Sequence, residues 1–383
     1  MKAKVLVSVW GLFLVLVLIG LGLVFSAGAV VPLASGQATG GSFQGLGDLP
    51  GGTFFSHAWD MSMDGTTVTG SSDSGYGQAF HWTQAGSMVG LPPLPGDPGC
   101  CSDGDGLSRD GLIVAGYSGS EACRWTIDSS SGGWVAEGLG DLIGGSFSSK
   151  AYAMSYDGQV VVGEGSSSKG TEAFRWTAND GMVGLGDLPG GRFFSQAMGC
   201  SENGSVVVGQ GNVKNGGAAF RWTASKGMVN LGVLPKRKFS AAWACSGDGS
   251  VVVGQSWGGG QQTAWEEAFR WTAATGMKGL GDLPGGIAYS EADGVSPDGS
   301  IVVGGSASAD GIEAFIWDAN KGMRRVADYL AASSVEVPAG WTLRYANSIT
   351  VNSETRVVTI SGVGINPEGN TEAWIAAVMP DPY

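Results

Sequence analysis

One phrase recurs seven times along this 383-residue chain, and it constrains the fold more than any other feature. The phrase reads small-x-x-x-Ser-x-Asp-Gly. It opens at Ala58, Gly104, Ala151, Ala197, Ala242, Ala292 and Ala346, at spacings of 46, 47, 46, 45, 50 and 54. The serine is Ser62, Ser108, Ser155, Ser201, Ser246 and Ser296, with Thr350 in the last copy. The turn pair runs from Asp64-Gly65 to Asp298-Gly299, with Asn203-Gly204 in the fourth copy and the degenerate Asn352-Ser353 in the seventh. Each copy reads as four short strands. The first ends at the serine, and the Asp-Gly pair turns the chain, because glycine and asparagine accept positive φ. The second is a valine run such as Val160-Val161-Val162, whose consecutive apolar residues predict cover on both faces. The third is Glu-Ala-Phe-Arg-Trp-Thr, as at Glu172 to Thr177, and the fourth is Gly-Met-Val-Gly-Leu-Gly, as at Gly181 to Gly186. An Asp-Leu-Pro-Gly-Gly loop such as Asp187 to Gly191 stops the strand and leads onward.

Four strands per unit, with both faces covered, describe the blades of an all-β propeller. The ends of the repeat region point to closure. Ser42 to Asp48 matches a fourth strand, and the last copy stops after its third strand, Glu372 to Val378. Pairing the two removes two exposed edges, where an open solenoid would need caps. The sequence thus predicts a seven-bladed β-propeller of four-stranded blades over 42–378, closed by an N-terminal strand pairing with the C-terminal blade. Before it lie an export segment (1–29) and a linker (30–41); a tail (379–383) follows.

Lys2 and Lys4 precede an apolar run from Val5 to Phe25, followed by the small-x-small triplet Ala27-Gly28-Ala29. This fits a cleaved signal peptide, and the run is also long enough for a retained anchor. Either way the rest of the chain is exported, to the cell surface or the medium. A net charge of −13 and the lack of a basic cluster exclude nucleic acid as a partner. The membrane is expected to be met only through the N-terminal segment, and the chain to act as a monomer.

Catalytic sets are missing. The only histidines, His57 and His81, occupy different repeat positions, and no cluster suits a metal or cofactor. The five cysteines fit no zinc spacing; Cys200 and Cys245 read as small buried hydrophobes, while pairing of Cys100 or Cys101 with Cys123 stays open. Asp103-Gly104-Asp105-Gly106 is the best calcium candidate, yet Val114 stands where an EF-hand would place glutamate, so Asp-Gly pairs read as turns. The loop aspartates Asp48, Asp141, Asp187 and Asp282 repeat with the third-strand arginines Arg124, Arg175, Arg221 and Arg270, and are expected to pair with them. The repeated Trp82, Trp125, Trp176, Trp222, Trp271 and Trp317 read as packing between blades. Non-repeated loop aromatics, Trp257 and Trp265 in the fifth copy and Tyr76 in the first, are the candidate ligand-binding residues.

The tripeptide at Gln78-Ala79-Phe80, Glu172-Ala173-Phe174, Glu267-Ala268-Phe269 and Glu313-Ala314-Phe315, with its Arg-Trp-Thr and Leu-Gly-Asp-Leu-Pro-Gly-Gly flanks, resembles the extracellular HAF-repeat proteins of bacteria. The resemblance covers Ser42 to about Val378, and the stretch from Gly340 to Pro367 looks like the usual final unit of such proteins. It implies export and a bacterial origin, and it brings no reaction or ligand with it. The function expected is a non-enzymatic binding or adhesion module for an extracellular glycan or surface protein. The alternative is a carbohydrate-active hydrolase or lyase with acidic residues at the propeller opening.

Overall fold

The computed structural model describes residues 41–97, 101–258 and 265–379. The 1–29 export segment, most of the linker, Cys100 and most of the C-terminal tail lie outside them. The described chain is all-β apart from one short helix, Val326–Ala332. Its strands form five four-stranded antiparallel sheets and one of eight. The larger sheet is two four-stranded units touching through a single parallel bridge, Glu266 to Tyr289. Each of the first six repeats therefore builds one four-stranded unit.

Order within a unit follows the chain. In the third, Gly144–Met154 pairs with Val160–Ser167, then Gly170–Thr177, then Gly181–Gly184. The last unit departs from this. Its three C-terminal strands, Thr342–Val351, Val358–Ile365 and Thr371–Val378, take Ser42–Gly45 as the fourth, with Phe43 opposite Ala376 and Gly45 opposite Trp374. Phe43 stacks on Trp374 and meets Trp341 edge-on, with ring centroids 6.1 and 5.2 Å away. First strands of successive units lie side by side, and that of the first unit, Ser56–Met61, lies against that of the last.

Among the described residues the apolar core falls into seven clusters, each between neighbouring units, and is not gathered at one centre. A typical seam sets Val160, Val162, Ala173 and Leu188 of the third unit against Ala197, Val207, Ala218 and Phe220 of the fourth. The seam between last and first units has the same make-up, with Ala373 and Ile375 against Ala58, Val68, Phe80 and Trp82. The valine runs are covered on both faces as predicted. The third-strand tryptophans pack in these seams, Trp82, Trp125 and Trp176 all buried.

Two hydrogen-bond systems repeat with the units. In six units a serine of the first strand takes the amide of the repeated alanine in the preceding unit's third strand. Thus Ser195 Oγ accepts from Ala173 N at 2.9 Å, Ser240 Oγ from Ala219 N at 2.8 Å, and Ser56 Oγ from Ala373 N at 3.0 Å. These serines are almost fully buried, so the bond satisfies polar groups that water cannot reach. The hairpin turns are also chained through their backbones. Met63 N donates to Arg109 O, Arg109 N to Tyr156 O, Tyr156 N to Glu202 O, Glu202 N to Gly247 O, and Gly247 N to Pro297 O. Proline has no N–H, so the chain stops at Pro297. The last unit answers with a side chain: Thr350 Oγ1 donates to Met63 O at 2.9 Å. The turn glycines all adopt positive φ, from 62° at Gly204 to 73° at Gly299.

Three expectations change. The helix fills the lengthened connection before the last unit, burying Val326 and Leu330, and the four-strand reading did not foresee it. The loop aspartates do not pair with the third-strand arginines. Asp141 caps the amides of Leu142, Ser148 and Ser166, and Asp187 those of Leu188 and Phe194. The arginines bond across the seam to turn carbonyls, Arg175 to Gly204 O, Arg221 to Gly249 O and Arg270 to Gly299 O, while Arg124 pairs with Glu137. Loop amides offer an aspartate more convergent donors than a strand arginine that already has a carbonyl within reach. Third, Asp103 and Asp105 lie in the strand Ser102–Leu107 and form no turn.

Candidate functional site

The first strands of the seven units line one cavity of about 670 Å³. A first strand is pleated, so alternate residues share a face. One face carries repeated small and apolar residues toward the seams, such as Ala58, Ala151, Ala197 and Ala292. The other carries side chains that vary from copy to copy: His57 and Trp59, Asp103 and Asp105, Tyr152, Met198, Trp243, Glu291 and Asp293, Tyr345 and Asn347. A scaffold that repeats everywhere except on one face presents that face as its variable surface. Met63, Arg109 and Tyr156, from the hairpin turns, line the same cavity.

Acids dominate the wall. Asp60, Asp103, Asp105, Glu291 and Asp293 line it, against a single cation, Arg109. Burial pushes the Asp60 carboxyl up to about 6, although Leu107 N, Met61 N and Ser348 Oγ donate to it. Burial likewise pushes Asp103 up to about 6 against the pull of Ser71, Trp59 and Lys150. Asp105 rises further, through burial and the neighbouring Asp103 charge, as does Asp293 beside Glu291. Asp105 Oδ2 and Asp293 Oδ2 are shut off from solvent and meet no hydrogen-bond partner, and the same holds for the donor Trp243 Nε1.

Aromatic rings complete the wall. His57 lies 3.9 Å from the Trp59 ring, and burial lowers its imidazole to about 4, so the ring is neutral at physiological pH. Trp59 Nε1 donates to Asp103 Oδ1 at 2.9 Å. Tyr289 donates to Glu291 at 2.6 Å, and Tyr152 to Glu164 at 2.8 Å. The Lys150 ammonium sits 4.5 Å over the Tyr117 ring. Burial raises the Cys200 thiol far above its usual range and Cys245 to about 12, which favours the protonated thiol at both. Cys101, Cys123, Cys200 and Cys245 are free thiols. Among the described residues, no three His, Cys, Asp or Glu side chains converge as a metal site.

The aromatics singled out in the sequence lie elsewhere. Tyr76 sits on the loop between second and third strands of the first unit, 39 % exposed. Trp257 stacks on Phe239 at 5.7 Å, and Trp265 is 45 % exposed under Arg237. None of the three lines the cavity, and they are split between the first and fifth units. Sequence reasoning missed the cavity residues themselves. Their signal was present as the two positions in each first strand where the repeat fails to repeat.

The fold belongs to the β-propeller class. No family model and no curated protein matches the chain. Among solved structures, it is similar to an oligogalacturonate lyase from Vibrio parahaemolyticus, with a TM-score of 0.53 and 12 % identity over 90 % of this chain and 98 % of that one. A putative TolB from Agrobacterium tumefaciens gives 0.45 and 16 % over 77 % and 95 %. TolB from Acinetobacter baumannii gives 0.43 and 9 % over 88 % and 80 %. At such identities the likeness to the lyase is one of fold alone.

Proposed function

We propose that this chain is an exported, non-enzymatic binding protein of the HAF-repeat kind: a seven-bladed propeller, closed by its N-terminal strand, that takes a ligand into the cavity between its first strands. The closed ring is supported by the pairing of Ser42–Gly45 with Thr371–Val378 and by a last-to-first seam built like the others. Export is supported by the N-terminal apolar run after Lys2 and Lys4. The observation that carries the binding reading is the convergence of non-repeating side chains on one cavity. Its volume falls within the roughly 300–1,000 Å³ of small-molecule sites. Aromatic faces and unpaired polar atoms in one hollow suit a glycan better than a flat protein surface.

The test is a glycan and peptide array probed with the purified chain. Replacing Trp243 or Trp59 by alanine should weaken binding by about tenfold or more, as for a central aromatic contact. Trp257→Ala and Trp265→Ala should leave it intact. The reverse pattern moves the site to the outer loops. Raised carboxyls in a cleft also suit acid catalysis, which keeps the hydrolase or lyase reading as the alternative. Polysaccharide turnover abolished by Asp103→Asn would establish it.

A further inference from the structure

Resting on the cavity-binding reading, we infer that the ligand carries a free amine beside hydroxyl groups, the chemistry of an amino sugar. Three atoms in the wall define this demand. Asp105 Oδ2 and Asp293 Oδ2 are sealed acceptors without donors, and Trp243 Nε1 is a sealed donor without an acceptor. A buried polar atom left without a partner is costly to a folded protein. A neutral sugar supplies hydroxyls to all three but leaves the wall's charge unanswered. Five carboxyls line it with Arg109 as the lining cation, Lys150 acts on Asp103 and Asp105, and His57 is neutral, so acids remain in excess. A uronate ligand would be repelled by the same wall.

A divalent cation answers the charge poorly. The acids come as two pairs, Asp103 with Asp105 and Glu291 with Asp293, on first strands separated by those of the last and first units. Calcium takes about 6–8 oxygen ligands in one place. An ammonium has three N–H donors and is satisfied by one such pair and a hydroxyl. A linear polyamine matches the pairs but offers nothing to Trp243 Nε1. A molecule with amine and hydroxyl functions satisfies both kinds of atom and the wall's charge as well. The rings of Trp59, Trp243 and Tyr345 supply flat walls of the kind sugars stack on.

The groups facing Asp105 are Asp103, Lys150, Tyr117, Cys123 and Tyr152; those facing Asp293 are Glu291 and Tyr345. Burial and the neighbouring acid push the Asp105 and Asp293 carboxyls up. An ammonium placed there pulls them back down, so binding releases protons to the buffer.

Titration calorimetry of the full chain decides the matter. The probes are the β-1,4-linked glucosamine disaccharide, its di-N-acetylated counterpart, spermidine and calcium chloride at matched ionic strength. The free-amine disaccharide should bind at one site per chain, about tenfold or more tighter than the acetylated one. Its heat should change between buffers of different ionisation enthalpy, reporting proton release, whereas the acetylated sugar's heat should not. Asp105→Asn with Asp293→Asn should abolish the preference. Asp180→Asn with Glu368→Gln, which removes the same charge from the surface, should preserve it. Equal or tighter binding of the acetylated disaccharide, lost on Trp243→Ala, overturns the amine inference and leaves the cavity reading standing. Spermidine or calcium binding more tightly than the amine disaccharide overturns the sugar assignment. Failure of both sugars overturns the inference, while the array with the Trp243 variant judges the cavity reading separately.

Discussion

A serine and an aspartate summarise what single residues do in this chain. Ser195, on the fourth unit, is buried, and its hydroxyl holds a strand and a loop of the third, accepting from Ala173 N and donating to Gly186 O at 2.6 Å. Ser195→Ala leaves a sealed amide without a partner and should cost about 1–3 kcal/mol, read as a lower urea midpoint with an unchanged slope. Asp60 and Asp103 show the opposite economy. Both titrate near pH 6 in the folded chain and near the usual 3.8 once unfolded. Between those values the folded state holds the extra protons. Stability from these groups is therefore greatest below about pH 4, falls as pH rises through 6, and levels off above. The turn aspartates Asp157 and Asp248, held low by serine and amide donors, act in reverse, and their contribution is lost as pH falls below 4. Melting curves from pH 4 to 8 should show the decline toward 6. Asp103→Asn, which still accepts from Trp59, should flatten it by about 1–2 °C.

At the level of the element, the strand Ser42–Gly45 matters out of proportion to its length. It covers the outer edge of Thr371–Val378, and Phe43 closes over Trp341 and Trp374. An uncovered edge is a template for pairing with another chain. A chain beginning after Gly45 should lose about 3 kcal/mol or more, from a row of hydrogen bonds and two aromatic contacts, and should dimerise or aggregate on sizing columns. If it stays monomeric and equally stable, the strand is not the closing element. Both partners of this pairing were legible as a spare fourth strand and a missing one. The helix Val326–Ala332 was not, because seven residues inside one lengthened repeat give no period to read. The arginine partners were misread for a related reason. Arg175 and Asp187 recur together in the chain, but the Gly204 carbonyl that Arg175 reaches belongs to the next unit.

Over the whole molecule, stability is distributed and function is concentrated. Seven similar seams share the apolar core, so no single truncation empties it. Val207→Ala, fully buried in one seam, should cost about 2–3 kcal/mol and leave ligand binding unchanged. The cavity has no such redundancy, since each unit contributes different side chains to it, and Trp243→Ala should act on affinity with little effect on the melting temperature.

By itself the sequence determined the architecture of this protein. A period of about 46 residues, Asp-Gly turns, valine runs and Pro-Gly-Gly stops are local instructions, and each copy repeats them with its own neighbours in range. Only the tertiary structure decided the candidate site. Trp59, Asp105, Trp243 and Asp293 are far apart in the chain and come together only when seven first strands share one cavity. Their chemistry, too, is a property of the folded molecule. A carboxyl is raised by the water it loses and the charges it is pressed against, and neither exists until the sheets have packed.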